Sequence, residues 1–129
     1  MIHVLLVDDH AAFRQPLALM MAWEPDLTVV AQAGSLAEAR RMLAAAPAVD
    51  VAVVDLQLPD GNGVDLIPAL RTANPQGTVL ILTASMDQSA YARAMEAGAA
   101  GVVQKLLGIR EIIALVRRLS RGEHLPVTG

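Results

Sequence analysis

Short apolar runs alternate along the chain with longer stretches in which apolar residues recur every three or four positions. The short runs occupy residues 4–7, 28–33, 51–54, 78–82 and 101–103. Because most successive positions in these runs are apolar, both faces of each segment suit burial, as in a parallel sheet covered by helices. The pattern therefore predicts five buried strands.

The stretches between the strands predict five helices. The second helix begins at Ser35, which forms a capping box with Glu38, and the fourth runs from an N-cap at Asp87 to Gly98. Pro16 lies beyond the first turn of the first helix, so a kink or a delayed start is expected there. The other three helices are predicted over about 11–23, 63–73 and 109–121.

Repeated strand–helix alternation predicts right-handed crossovers and a doubly wound α/β fold, with helices on both faces of a five-stranded parallel sheet. The length of 129 residues fits one domain. We assign residues 1–121 to this domain, because the last helix is predicted to end there. Residues 122–129 are predicted to be a C-terminal tail or the start of a linker.

Composition excludes several classes of function. A net charge of −3 and 2 % aromatic residues do not suit these residues for binding a nucleic acid backbone or stacking bases. The chain has no cysteine, so thiolate metal sites and disulfides are excluded. No apolar run reaches membrane-spanning length, and no signal peptide pattern is visible at the N-terminus. A cytoplasmic protein without membrane contact is expected.

Four of the predicted strands lead into residues that can carry chemistry. The first ends in Asp8 and Asp9, the third in Asp55 and the fourth in Thr83, while the fifth closely precedes Lys105. Ligands of such sheets bind outside the carboxyl ends of the strands. If these four strands are neighbours, three carboxylates, a hydroxyl and an ammonium group converge in one shallow site.

That set of side chains fits phosphoryl chemistry assisted by a metal ion. Clustered carboxylates repel each other unless a cation is present, and oxygen ligands favour Mg²⁺. An aspartate can act as the nucleophile towards a phosphoryl group and form an aspartyl-phosphate. Mg²⁺ and Lys105 would then offset charge on the transferred group, and Thr83 could donate a hydrogen bond to it.

At these positions the chain resembles the receiver domain of a bacterial two-component response regulator, over about residues 1–121. The matching segments are residues 7–10, 54–61, 82–84 and 98–105. The resemblance implies a flavodoxin-like strand order 2-1-3-4-5. Val-Asp-Asp-His followed by Phe-Arg, and Arg-Gly-Glu at 121–123, further resemble the LuxR/NarL-type subgroup with a C-terminal helix-turn-helix.

The resemblance implies a role for each matching residue. Asp55 is the phosphoacceptor, and Asp8, Asp9 and Asp55 bind Mg²⁺ together with the backbone carbonyl of Gln57. Asp9 is favoured as a direct ligand, with Asp8 acting partly through water. Thr83 is the switch hydroxyl and Lys105 pairs with the phosphoryl group.

The resemblance also implies partners for the domain. A sensor histidine kinase would donate the phosphoryl group, and phosphorylation would promote a homodimer or alter effector output, which is transcriptional in this subgroup. DNA would be bound only through a helix-turn-helix domain outside these residues. The domain would catalyse only its own phosphorylation and dephosphorylation.

Two positions depart from the family pattern. The family's switch aromatic lies three residues before the lysine, where this chain has Val102, so readout by an aromatic rotamer is not expected. Leu106 replaces the proline that often follows the lysine.

Other interpretations stay open. The chain could be a degenerate receiver that acts as an interaction module without phosphorylation. It could instead be a phosphohydrolase with Asp55 as nucleophile, although haloacid-dehalogenase-type phosphatases need a second Asp where this chain has Gln57. Taken alone, Asp8 and Asp9 could cap a helix and Asp55 could belong to a turn. The three histidines are far apart in sequence and lack ligand spacing, so no metal role is predicted for them.

Overall fold

The computed structural model describes residues 1–45, 48–84 and 87–123. The main sheet contains five parallel strands, here numbered in chain order: β1 (Ile2–Val7), β2 (Leu27–Ala33), β3 (Val51–Asp55), β4 (Thr78–Thr83) and β5 (Gly101–Gln104). They lie in the order β2-β1-β3-β4-β5, so the predicted flavodoxin-like order is confirmed. Each strand extends its predicted run by one to two residues at most.

Five α-helices surround the sheet: α1 (Ala11–Ala22), α2 (Leu36–Ala44), α3 (Ile67–Ala73), α4 (Gln88–Glu96) and α5 (Ile109–Ser120). Their predicted caps are confirmed, because Ser35 accepts the N–H of Glu38 and Asp87 accepts that of Ser89. Gly98, with φ of +108°, follows the end of α4. Short 3₁₀ turns cover Gly63–Leu66 and Lys105–Leu107.

The delayed start considered for α1 is wrong, since the helix runs from Ala11 to Ala22 with Pro16 inside it, whereas the kink at Pro16 stays a prediction. Pro16 and Ala12, one turn before it, are both exposed. Water can therefore reach the carbonyl that loses its helical hydrogen bond to a proline. This accessibility explains why the helix tolerates the proline.

The helices divide between the two faces of the sheet and form two apolar layers. Leu17 and Met21 of α1 pack with Ile112 and Val116 of α5 on one face. Helices α2, α3 and α4 cover the other face, with buried residues that include Leu36, Leu43, Ile67, Leu70 and Ala94. The sheet is thus buried on both sides, as its continuous apolar strands predict.

The last helix ends at Ser120, which agrees with the helix end predicted near 121. Of the predicted tail, residues 124–129 lie outside the described residues, so the boundary at 121 stays a prediction. Among the helices of the described ranges, none combines the length and apolar character needed to cross a bilayer.

Candidate functional site

The predicted site residues lie at the carboxyl edge of the sheet, because the strands that carry them are parallel neighbours. Asp8 and Asp9 directly follow β1, and Asp55 is the last residue of β3, the next strand in the sheet. Lys105 directly follows β5 and reaches across β4 to these carboxylates. The prediction that these strand ends converge is confirmed for Asp8, Asp55 and Lys105.

The Lys105 ammonium group contacts two buried carboxylates. Its Nζ lies 2.8 Å from Oδ2 of Asp8 and donates a hydrogen bond to Oδ2 of Asp55 at 3.1 Å. The side chains of Asp8 and Asp55 are 7 % and 6 % exposed. Among the described residues, Oδ2 of Asp8 has no aligned hydrogen-bond donor, so the close charge contact with Lys105 is what compensates its burial.

Burial and charge pairing act on the site in opposite directions. Burial raises the pKa of Asp55, and the neighbouring Asp8 charge raises it further, although Lys105 pulls it down. Burial lowers the pKa of the Lys105 ammonium, but its contacts with Asp8 and Asp55 outweigh this and leave the pKa above its usual value. Lys105 is therefore held charged, while ionised Asp55 is in an unfavourable environment.

We expect Asp55→Asn to raise the melting temperature at pH 7 by a few degrees. When folding raises the pKa of an acid, the folded protein becomes less stable as the pH rises. The loss begins near the pKa of the acid in the unfolded chain, about 3.8, and is complete above its pKa in the folded chain. Asn keeps the shape without the charge, so the two melting temperatures should differ at pH 7 and converge near pH 4. Thermal unfolding followed by circular dichroism measures this difference.

Asp60→Asn provides a control of opposite sign. The backbone N–H groups of Ala37 and Leu36 donate to the Asp60 carboxylate and hold its pKa below the usual value. That contribution is present above the unfolded pKa and is lost as the pH falls, so Asp60→Asn should lower the melting temperature at pH 7. If Asp55→Asn also lowered the melting temperature at pH 7, the proposal that the charge of Asp55 destabilises the folded chain would be contradicted.

A group of possible metal ligands lies beside the ion pair. Asp8, Asp9, His10 and Asp55 each place one ligand atom within 4.8 Å of the others. The Asp9 side chain is 34 % exposed, so it borders the more open side of the group. Three carboxylates at one end of a sheet form a donor set that suits a hard divalent ion such as Mg²⁺, which takes a few carboxylates and completes its shell with water. The residues therefore fit the predicted ion.

Gln57 and Thr83 also lie at this edge of the sheet. The backbone N–H of Gln57 donates to Oδ1 of Asp55 at 3.3 Å, and this contact restrains the carboxylate. Thr83 is the last residue of β4, is 7 % exposed and pairs in register with Gln104. Asp55 pairs with Leu82, so Thr83 lies one residue beyond it on the adjacent strand. The metal role of the Gln57 carbonyl stays a prediction.

Three further residues shape the site, although the sequence pattern gave them no role in it. His10 Nδ1 lies 3.2 Å from Oδ1 of both Asp8 and Asp9. The ring of Phe13 lies 5.0 Å from the Lys105 ammonium, a cation–π contact. Arg14 donates to the backbone carbonyl of Asp8. Phe13 and Arg14 fix the first turn of α1 against the site, and only the tertiary structure reveals this.

The two simple structural interpretations of the acids do not describe their positions well. Helix α1 begins after His10, and the Asp8 carboxylate accepts the backbone N–H of His10, which precedes the helix. Asp8 therefore does not cap a free amide of the first turn. Asp55 ends a buried strand and faces Lys105, rather than standing in an exposed turn.

Val102 occupies a buried position on β5, opposite Ile81 of β4. It is 7 % exposed and packs in the apolar layer that includes Ala94 of α4 and Ala99. The valine side chain is buried beneath α4. It has no polar atom that could favour a second, solvent-exposed rotamer.

The comparisons with known proteins agree with this geometry. Residues 4–117 match the family model described as the response regulator receiver domain. The chain is 42 % identical to the DNA-binding transcriptional activator DevR/DosR of Mycobacterium tuberculosis, over 97 % of this chain and 57 % of that protein. It is 41 % identical to a protein-glutamate methylesterase/protein-glutamine glutaminase of Cereibacter sphaeroides, over 98 % of this chain and 37 % of that protein.

A solved structure extends the agreement to the fold. The signal receiver domain of the response regulator NarL from Mycobacterium tuberculosis superposes with a TM-score of 0.86 and 27 % identity, covering 95 % of this chain and 98 % of that one. The chain spans only part of the curated relatives that it matches, about 57 % of one and 37 % of the other.

Proposed function

The chain belongs to the response regulator receiver domain family, and on that premise we propose that it accepts a phosphoryl group on Asp55 from a sensor histidine kinase. Mg²⁺ would be held by Asp8, Asp9, Asp55 and the backbone carbonyl of Gln57. The proposal is supported above all by one observation. One partly buried ammonium group, that of Lys105, contacts both Asp55 and Asp8 at the edge where three carboxylates meet.

The chemistry follows from these side chains. One carboxylate oxygen of Asp55 attacks phosphorus and forms a P–O bond, while the P–N bond to the phosphohistidine breaks and the imidazole leaves with the bonding electrons. Bound Mg²⁺ would offset charge on the phosphoryl oxygens. Lys105 supplies a fixed positive charge in a partly water-excluded position, where such a charge stabilises the transition state more than it would in water. Asp55 itself is oriented by the N–H of Gln57.

The phosphorylated state would differ from the unmodified one at the end of β4 and at Lys105. The added oxygens attract the Thr83 hydroxyl and the Lys105 ammonium, which biases the surface formed by α4, β5 and α5. Because Val102 is small and buried, we propose that this change is carried by movement of the backbone and of α4 rather than by an aromatic rotamer. A phosphorylation-dependent homodimer is the proposed direct output.

The similar proteins do not share one type of effector domain. One relative is a DNA-binding activator and another is a methylesterase, so similar receivers serve different outputs. The resemblance of residues 7–14 and 121–123 to LuxR/NarL-type regulators favours transcription, with DNA bound through a domain outside these residues. A cytoplasmic location also stays a prediction.

Two alternatives are less well supported. A phosphohydrolase of the haloacid-dehalogenase type would need an acid at position 57, and Gln57 instead offers an exposed amide side chain. A degenerate receiver would not need to keep a buried acceptor paired with a lysine beside two further acids. The preserved Asp55–Lys105 pair therefore favours the phosphorylated switch.

Phosphorylation can be tested directly. We expect incubation with Mg²⁺ and a small acyl phosphate to add the mass of one phosphoryl group, stable in acid and labile in base, because an acyl phosphate on Asp55 hydrolyses readily in base. Intact-mass spectrometry measures the gain, and chelation of Mg²⁺ should prevent it. Asp55→Ala should show no gain.

Each contrary result points to a different alternative. A gain that survives Asp55→Ala would place the acceptor elsewhere and overturn the assignment. No gain in the wild-type chain would favour the interaction module. Continuous turnover of a broad phosphomonoester substrate would favour the phosphohydrolase.

A further inference from the structure

His10 presents a ring nitrogen to the same carboxylates that are proposed to hold the metal ion. Its Nδ1 lies 3.2 Å from Oδ1 of Asp8, 3.2 Å from Oδ1 of Asp9 and 3.8 Å from Oδ2 of Asp55. His10 is the N-cap residue of α1, but its side chain makes no capping hydrogen bond. The ring is therefore not needed to begin the helix, and its Nδ1 edge faces the acids although the side chain is 65 % exposed.

The backbone holds His10 in this place. Its N–H donates to Oδ1 of Asp8 at 2.8 Å, and its carbonyl accepts the N–H groups of Phe13 and Arg14 in the first turn of α1. The Cα of His10 is thus fixed relative to the strand end, so the ring can approach the acids by side-chain rotation alone.

The contacts of Nδ1 place conflicting demands on one nitrogen. The Lys105 ammonium lies 3.3 Å away and can only donate, so that contact requires a lone pair on Nδ1. The contact with Asp8 requires a proton on the same nitrogen, because a carboxylate can only accept. A divalent cation among these atoms would remove the conflict, since it takes the nitrogen lone pair in place of Lys105 and binds the carboxylate oxygens at the same time.

We propose that His10 Nδ1 is a ligand of the divalent ion, so that this site binds first-row transition ions such as Mn²⁺, Ni²⁺ or Zn²⁺ more tightly than its oxygen ligands alone would. The inference rests on the proposed function, which places a divalent ion at these acids. Two ligand atoms on opposite sides of such an ion are about 4.2 Å apart. The four candidate atoms already lie within 4.8 Å of one another, so small rotations are enough to close the site.

The mixed donor set gives the expected selectivity. Mg²⁺ binds oxygen ligands and gains little from an imidazole, whereas Mn²⁺, Ni²⁺ and Zn²⁺ bind imidazole with affinities that rise along the first row. Removing the ring should therefore weaken the transition ions selectively. A site of carboxylates and carbonyls alone would lose nothing.

The test compares His10→Ala with the wild-type chain by isothermal titration with Mg²⁺ and with Mn²⁺. We expect the Mn²⁺ affinity to fall about tenfold or more, while the Mg²⁺ affinity changes by less than about threefold. Pulsed electron paramagnetic resonance of the Mn²⁺ complex should show nitrogen modulation that disappears in His10→Ala. His3→Ala is the matched control, because His3 pairs with Asp50 near the opposite end of β1 and should leave both affinities unchanged.

The outcomes separate this inference from the function on which it rests. Equal Mn²⁺ affinities with and without the ring would overturn the His10 proposal. So would a rise in Mg²⁺ affinity in His10→Ala, since the ring would then be a competitor of the ion. Suppose that Asp9→Asn loses Mg²⁺ binding, whereas His10→Ala binds both Mg²⁺ and Mn²⁺ as tightly as the wild-type chain does. Only the His10 proposal then fails. If the wild-type chain binds neither ion, the proposed metal-dependent function fails as well.

Discussion

Replacing Lys105 with Ala is expected to leave the chain folded and to slow phosphoryl uptake on Asp55 by roughly 10²–10³-fold. Lys105 is the only lysine of the chain, and its ammonium is the charge that faces Asp55 directly. Without it, charge that develops on the phosphoryl oxygens loses its preorganised partner within the protein. The rate of mass gain with an acyl phosphate at saturating Mg²⁺ measures the effect.

The fold should survive this change although two buried carboxylates lose their counter-charge. Asp8 and Asp55 lie at the edge of the sheet beside the more exposed Asp9, so Mg²⁺ or a proton can reach them. Thermal unfolding in the presence of Mg²⁺ should therefore still show one cooperative transition. Global unfolding of Lys105→Ala under these conditions would show instead that the lysine is mainly structural.

Two variants control for charge and geometry. Arg110→Ala also removes one positive charge near the beginning of α5, but Arg110 is exposed and lines a different groove, so phosphoryl uptake should be unchanged. Lys105→Arg keeps the charge but replaces a compact ammonium with a planar guanidinium, and an intermediate rate is expected. A wild-type rate in Lys105→Ala would contradict the electrostatic role.

The sequence allowed much of the site to be predicted because the rule involved is topological. Apolar runs identify the strands, parallel neighbours place their carboxyl ends together, and the residues that end the runs are then candidates. This reasoning correctly brought Asp8, Asp55 and Lys105 together, although Asp55 and Lys105 are 50 positions apart. The caps at Ser35 and Asp87 were predictable for a local reason, since each accepts an N–H within its own first turn.

The proximity of His10 to the acids could not be predicted from the spacing of the three histidines, which are far apart in sequence. Its partners are instead two adjacent acids and a third acid from another strand, so the relevant spacing is spatial. The same limit applies to the contact between Lys105 and Phe13, which joins the end of β5 to α1. Pro16 shows the converse error, because a local rule allowed for a delayed start of α1, whereas the helix begins at Ala11 and includes the exposed Pro16.

Gly63 is a residue whose importance the sequence did not indicate. Gly-Asn-Gly at 61–63 predicts a loop, and the structure does place a two-residue hairpin pairing of Gln57–Leu58 with Gly61–Asn62 there. The loop then returns against the end of β3, where the N–H of Gly63 donates to the carbonyl of Leu56 at 2.8 Å. A Cβ at position 63 would lie 2.2 Å from the backbone oxygen of Asp55. The glycine is required by this close approach to the acceptor residue.

We therefore expect Gly63→Ala to destabilise the chain by about 3 kcal/mol and to reduce phosphoryl uptake, because the added methyl group must displace either the loop or the Asp55 backbone. The obstacle is backbone, which cannot rotate away as the end of a side chain can. Urea unfolding measures the stability and the acyl phosphate assay measures uptake. Gly34→Ala is the matched control, because its nearest neighbour is the Arg14 guanidinium at 3.5 Å, an ordinary contact, and its stability should stay within about 1 kcal/mol of the wild-type value. An unchanged free energy of unfolding in Gly63→Ala would show that the loop yields easily and that the position of Asp55 does not depend on it.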